Sequence, residues 1–359
     1  MGYAVSIVIW GLSSMSHALA RSSLGFGIAR IGLGLGESGN FPAAIKTVAE
    51  WFPKRERAFA TGIFNSGANI GAVLAPLVIP WAIYYFAANP AHPFWQVGFL
   101  LTGLLDITWL VFWLAIYQKP ADKKRLTKAE FDFIHSDIDE QNASKENVPW
   151  GKLFGYRQTW AVLVGKFLTD CVWWFYLFWL PSYLKDKYHV DIKDIANFAL
   201  PLIIIYSMTT IGSVGGGWLS SKFIKIGWTV NRARKTAMLS FALAVVPIIA
   251  VAYVSLWPAV MLIGLAAAAH QAWSANIFTT ASDMFPKKAV GSVTGIGAMA
   301  GALGGLVFQW ITGILLATYK SGGNIETGYF ILFIMCASQY LTALLLFHLF
   351  APKMELVRV

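Results

Sequence analysis

An α-helix needs about 20 predominantly apolar residues to cross a bilayer, and this 359-residue chain is built from ten such stretches. Their approximate edges are 3–20, 24–46, 58–86, 94–116, 159–184, 196–220, 236–256, 258–282, 290–317 and 328–350. Strand hairpins do not fit them: polar and apolar residues do not alternate, and Gly and Ala are frequent inside the runs. Hydrophobic residues make up 57% of the chain and charged ones 13%, against about 45–50% and about 25% in soluble domains. That balance excludes a disordered chain and argues against an ordinary soluble enzyme. The expected fold class is all-α, a polytopic membrane protein. Cys171 and Cys336 are the only cysteines and both lie inside apolar runs, so neither a disulfide framework nor a cysteine metal site is expected.

A net charge of +10 would suggest nucleic acid in a soluble protein, but here the charges cluster between apolar runs. Lys54, Arg55 and Arg57, eight basic residues in 117–158, five in 221–235, then Lys287, Lys288, Lys353 and Arg358 fall on one side of the membrane. Together they are twenty of the 28 Lys and Arg residues. Arg21, Lys185, Lys187, Lys193 and Lys320 fall on the other. Basic loops stay cytoplasmic, so the charge is read as topology, with no nucleic-acid partner. Residues 117–158 separate four runs from six and read as a cytoplasmic linker. Within it Thr127 and Glu130 have capping-box spacing, and Phe131, Ile134 and Ile138 follow at helical spacing. The domain organisation is therefore an N-terminal bundle over 1–116, the linker, a second bundle over 159–350 and a tail over 351–359.

Gly32/Gly36, Gly67/Gly71 and Gly301/Gly305 share the GxxxG spacing of closely packed membrane helices. A longer pattern is an internal repeat. Residues 52–63 and 285–296 share Phe, Pro, Lys, Thr, Gly and Ile at one offset of 233, which marks a duplication whose copies run in the same direction. Carried backwards, the offset places the first-half counterpart of residue 159 about 74 residues before Met1. The expectation is a protein of two six-helix bundles with the first two helices missing and the first bundle reduced to four, through truncation, a misplaced start or a shortened gene.

Six segments carry a family resemblance. Gly32-Leu-Gly-Leu-Gly-Glu37-Ser-Gly-Asn-Phe-Pro42, then Glu50–Arg57 and Gly62–Gly71, resemble the fourth and fifth helices of the anion:cation symporter family of the major facilitator superfamily. Ala269–Asn276 with Ser282–Pro286 is similar to the tenth helix, and Trp173–Pro181 to the seventh. Within the family, hexuronate (glucuronate and galacturonate) transporters look nearest, and other members carry galactonate, glucarate and further organic anions. The resemblance implies a secondary transporter of the major facilitator fold. It departs from the family in lacking the first two helices, which contribute substrate and proton-coupling groups, and the gating motif that follows them.

The candidate residues are polar side chains inside apolar runs. Glu37, among Gly34, Gly36 and Gly39, is costly to bury as an unpaired charge. It reads either as a proton carrier or as a buried glutamate that sets helix packing, and it matches a family position implicated in proton coupling. Arg30, two turns earlier, reads as a carboxylate anchor or as an interfacial arginine, and it matches a family arginine. His270 is the repeat mate of Glu37, with Gln271 beside it and Ser274 one turn on. These three suit sugar hydroxyls, and His270 also suits proton movement or plain packing. Asn65 and Asn69 offer two amides on one helix face. Tyr176 suits a sugar ring or an aromatic core. Lys166 and Asp170 have the spacing of an intrahelical ion pair, with Lys166 also able to attract an anion.

No phosphate-cradling loop, zinc-ligand pattern or nucleophile elbow is present, so no cofactor or metal is expected and no catalytic residue is assigned. The functional expectation is proton-coupled import of a sugar-acid anion, most simply a hexuronate, by a monomer in the inner membrane. The alternatives are a symporter for another organic anion, such as galactonate or glucarate, a truncated subunit that does not itself transport, and a membrane enzyme, for which no catalytic cluster shows.

Overall fold

The computed structural model describes residues 2–86, 94–136, 149–189 and 195–357. Among these the regular elements are helical. The first half comprises α1 (Gly2–Ser16), α2 (Ser23–Glu37), α3 (Asn40–Trp51), α4 (Lys54–Tyr85) and α5 (Gln96–Ile116). Two short helices follow, α6 (Lys128–Ile134) and α7 (Trp150–Leu153). The second half comprises α8 (Arg157–Tyr188), α9 (Ile195–Lys225), α10 (Val230–Val245, extended as a 3-10 turn to Tyr253), α11 (Leu256–Met284), α12 (Lys287–Ser321) and α13 (Ile325–Phe350). Helix α6 begins with the predicted capping box: Thr127 accepts from the Glu130 backbone N–H, and the Glu130 carboxylate accepts from the Thr127 N–H. Ile138 lies outside the described residues.

Eight helices among the described residues, α4, α5 and α8 to α13, are long and apolar enough to cross a membrane. The sequence predicts ten spans, and the difference lies at the start of the chain. Helix α1 has 15 residues, about 22 Å of helix. The apolar run 24–46 is two helices, α2 and α3, separated at Ser38 and Gly39. Gly39 favours a break energetically, and Ser38 turns its hydroxyl back onto the Leu35 carbonyl at 2.8 Å, a local competitor for helical bonding. Pro42 has no N–H and sits in the first turn of α3, where none is needed.

The repeat is visible as matched helix boundaries. Helices α2, α3 and α4 begin or end at Ser23, Trp51 and Lys54, and the corresponding boundaries of α11 and α12 are Leu256, Met284 and Lys287, all at the offset of 233. Phe52 and Phe285 occupy the same extended turn, each before a proline. The halves differ where α2 breaks. Gln271 and Ala272, the mates of Ser38 and Gly39, continue α11 without interruption.

Two of the three small-residue pairs pack as predicted. Gly36 lies against the Trp10 backbone and Gly32 against Ser13; Gly301 lies against Asp170 and Gly305 against Trp174. Gly67 and Gly71 do not: among the described residues nothing lies where a Cβ would sit, whereas Gly304, the mate of Gly71, abuts the Phe167 backbone of α8. The second half thus fills with α8 a position that stands open in the first. Its core gathers α8, α10, α11 and α13 around the fully buried Trp273, Phe333, Tyr183 and Tyr340.

Candidate functional site

The halves meet where α4 packs on α9 and α11 and where α3 packs on α12. Near the basic side the contact is an arginine lock. Arg57, completely buried, donates to the Ser282 carbonyl at 2.8 Å and to the Phe52 carbonyl at 3.0 Å. Arg234 donates to Asp283 Oδ2 at 2.8 Å, to Ser220 Oγ at 2.8 Å and to the Lys54 carbonyl at 2.9 Å. Both side chains of the Arg234–Asp283 pair are inaccessible. A guanidinium in such a place must be saturated with acceptors, and the two backbone carbonyls tie each arginine to the opposite half. Further in, Gly62 and Gly217 let α4 and α9 touch backbone to backbone, and Ser213 donates to the Gly62 carbonyl at 2.8 Å. A Cβ at either glycine would separate the helices.

Beyond this lock the contact turns to amides. Asn65 Nδ2 donates to Gln271 Oε1 at 2.6 Å, and Gln271 Nε2 donates to Asn69 Oδ1 at 3.1 Å. All three side chains are buried, and Asn69 Nδ2 has no partner among the described residues. The structure therefore brings three predicted residues from two halves into one network, with a donor to spare for a hydroxyl or carbonyl.

His270 stands beside this network on α11. Its Nδ1 is 2.6 Å from the Tyr340 hydroxyl, and its ring lies flat on Trp173 with centroids 5.3 Å apart. Ser274, one turn on, is buried. Tyr176 is in the second-half core, packed beside Phe175, with its hydroxyl unpartnered among the described residues. Lys166 and Asp170 form the predicted pair at 2.7 Å.

Arg30 and Glu37 are not part of this cluster. Both are exposed on α2, and neither forms an ion pair among the described residues. Glu37 is the last residue of α2, at the break, rather than the middle of an unbroken span. It is near enough to Asp106 of α5 for their charges to interact. Asp106 lines a cavity of about 600 Å³ between α1, α3, α4 and α5, together with Tyr3, Asn40, Phe41, Asn65 and Trp109. The Tyr3 hydroxyl donates to Asn40 Oδ1 at 2.6 Å. Sequence reasoning gave Asp106 no role, although a lone carboxylate inside the apolar run 94–116 is the kind of signal that marked Glu37.

A family model described as Major Facilitator Superfamily matches residues 2–309. This chain belongs to the Major Facilitator Superfamily. It is 31% identical over 323 residues to the hexuronate transporter of Escherichia coli (strain K12), covering 89% of this chain and 72% of that protein. It is 34% identical over 239 residues to the galacturonate transporter of Dickeya chrysanthemi, covering 65% of this chain and 66% of that protein. The fold also matches the solved structure of the MFS proton:xylose symporter XylE bound to 6-bromo-6-deoxy-D-glucose. That match has a TM-score of 0.71 at 17% identity, over 99% of this chain and 80% of that one.

For this Major Facilitator Superfamily member the predicted architecture of parallel helical repeats holds, and it is a multi-pass membrane protein rather than an enzyme. Polar groups from both repeats converge inside the spanning helices, where each unsatisfied one is expensive. The amides, hydroxyls and imidazole gathered here are suited to hydrogen-bonding a polyhydroxy molecule, and the adjoining cavity adds the Asp106 carboxylate.

Proposed function

We propose that this chain moves sugar-acid anions, hexuronates foremost, across a cell inner membrane by alternating access coupled to protons. The observation that carries this reading is the bridge from Asn65 through Gln271 to Asn69. It joins the two repeats at a polar site within the membrane-spanning helices, and it suits the polyhydroxy acids for which the hexuronate and galacturonate transporters are named. In this reading Asn65, Asn69, Gln271, His270 and Ser274 hold sugar hydroxyls, and Tyr176 contributes its hydroxyl when the second bundle rearranges. Arg30 holds the substrate carboxylate and Glu37 carries the proton. The bundles are 1–116 and 159–350, joined by a cytoplasmic linker over 117–158 and followed by a tail over 351–359. The working unit is a monomer, with the basic side in the cytoplasm.

The arginine lock supports the same mechanism, because it closes the basic side while the amides lie deeper. Alternating access then requires Arg57 and Arg234 to release carbonyls of the opposite half each cycle. The test is uptake of labelled glucuronate, galacturonate, galactonate and glucarate into cells expressing the chain, with and without a protonophore. Hexuronate uptake abolished by the protonophore is the expected result. Preference for an aldonate or aldarate would reassign the substrate, uptake driven by a sodium gradient alone would reassign the coupling ion, and no uptake of any sugar acid would overturn the reading.

A further inference from the structure

Lys166 and Asp170 lie one turn apart within the spanning part of α8, Nζ 2.7 Å from Oδ2. Their exposures differ, 3% for the lysine side chain and 18% for the aspartate. An ammonium has three donors, and the polar contact described for Lys166 is this one carboxylate. Its other contact is the face of Phe278, 3.7 Å from Nζ to the ring centroid. Helix α12 presents glycines to the pair: Gly297 faces the Lys166 side chain, and a Cβ at position 301 would strike the Asp170 carboxylate.

As a packing device the pair is poor. Removing two charges from water costs about what their attraction returns, and apolar side chains of similar volume often serve as well or better. Its position suggests another use. Phe278 stacks on Phe41 of α3 with centroids 4.9 Å apart, and Phe41 lines the first-half cavity beside Asn40 and Asn65. One aromatic pair therefore separates the ammonium from the cavity in which the bridging amide of Asn65 begins. The aspartate is the more accessible member of the pair.

We propose that Lys166 is a second anchor for the substrate carboxylate, held by Asp170 while the site is empty and passed to the anion when Asp170 takes up a proton. One proton moves from water to Asp170, and one carboxylate replaces another at Nζ. No covalent bond of the substrate changes, and the group stays neutral throughout: ammonium with aspartate before, ammonium with substrate after. Asp170 faces Lys166 and Cys171 on its own helix and Tyr340 on α13, with His270 of α11 within electrostatic reach of Lys166. Of these groups Lys166 is the one ion-paired to Asp170 among the described residues, so the acid of that pair is the switching group. The inference deepens the sugar-acid reading and rests on a substrate that carries a carboxylate.

The experiment is calorimetric titration of the purified full chain with glucuronate and galacturonate at pH 6 and pH 8, for wild type, Asp170→Asn, Lys166→Gln and the double variant. Wild type is expected to bind more tightly at pH 6. Asp170→Asn removes the competitor, so it binds as tightly at pH 8 as at pH 6. Lys166→Gln and the double variant lose about tenfold or more in affinity, as expected for one charge-assisted contact. The double variant buries no lone charge, so it keeps the test open where a single variant fails to fold. Unchanged affinity and pH dependence in the double variant would overturn this proposal alone. A wild type that binds no sugar acid at either pH would overturn it together with the substrate reading.

Discussion

Asn65 of the first half donates its amide to Gln271 of the second at 2.6 Å, inside the membrane-spanning part of both helices. Amide pairing between membrane helices contributes about 1–2 kcal/mol at most and commonly less, because the separated helices also find polar partners. The contact is strong enough to define a closed arrangement and weak enough to exchange for a ligand hydroxyl.

Replacing Gln271 with Leu tests that balance. It leaves the amides of Asn65 and Asn69 buried without partners, at a cost of about 1–3 kcal/mol, so the variant should melt several degrees lower in detergent and lose uptake. The triple variant Asn65→Leu, Asn69→Leu, Gln271→Leu should regain the melting temperature and still not transport. Normal uptake by the triple variant would show that the amides serve packing alone.

The arginine lock gives a conformational prediction. Asp283→Asn leaves Arg234 buried against a neutral partner, and breaking one side of such a pair costs about 3–5 kcal/mol. The closed basic side should loosen. Ser282, now 2% exposed, reports on it: in a chain with Cys171 and Cys336 replaced, a cysteine at position 282 should react with an impermeant thiol reagent far faster when Asp283→Asn is present. Equal rates in the two backgrounds would place the closure elsewhere.

Much of this was legible in the sequence because membrane helices record themselves in long apolar runs and because a duplication repeats its turns. The Phe-Pro-Lys turn marked where α4 and α12 begin, although the apolar runs themselves, 58–86 and 290–317, start three or four residues later than the helices at Lys54 and Lys287. The i,i+4 spacing of Asn65 and Asn69 put two amides on one face, and Lys166 and Asp170 formed the pair their spacing implied. Partners across the halves were not legible. Nothing in the spacing of Gln271 says that it inserts between two asparagines some two hundred positions away. The break after Glu37 was hidden because glycine and proline are tolerated in spanning helices, so a kinked run and a straight one have the same hydropathy. Asp106 lacked a partner in sequence because its neighbours come from other helices.

A pH effect is expected in the linker. The Thr127 backbone N–H, then its side chain, hold the Glu130 carboxyl below the usual carboxylate range. A group whose folded value is lowered contributes stability above its unfolded value and loses it as the pH falls through the folded one. Protection of the α6 amides against hydrogen exchange, corrected for intrinsic rates, should therefore decline as the pH drops below about 4. In Glu130→Gln that pH dependence should disappear. A wild-type profile that is flat from pH 7 to pH 3 would contradict the assignment.

Glu37 and Asp106 provide the last test, since their charges interact across α2 and α5 beside the first-half cavity. If Glu37 carries the coupling proton, Glu37→Gln should exchange labelled for unlabelled sugar acid across the membrane at near wild-type rate, because exchange needs no net proton movement. The same variant should fail to accumulate sugar acid against a gradient and should not respond to a protonophore. Asp106→Asn removes only a neighbouring charge, so it should keep accumulation and shift its pH optimum. The reverse pattern, accumulation lost in Asp106→Asn and kept in Glu37→Gln, would transfer the proton to the carboxylate on α5. That outcome would fit the geometry as well, for Asp106 lines the cavity directly, whereas Glu37 is exposed at the end of α2.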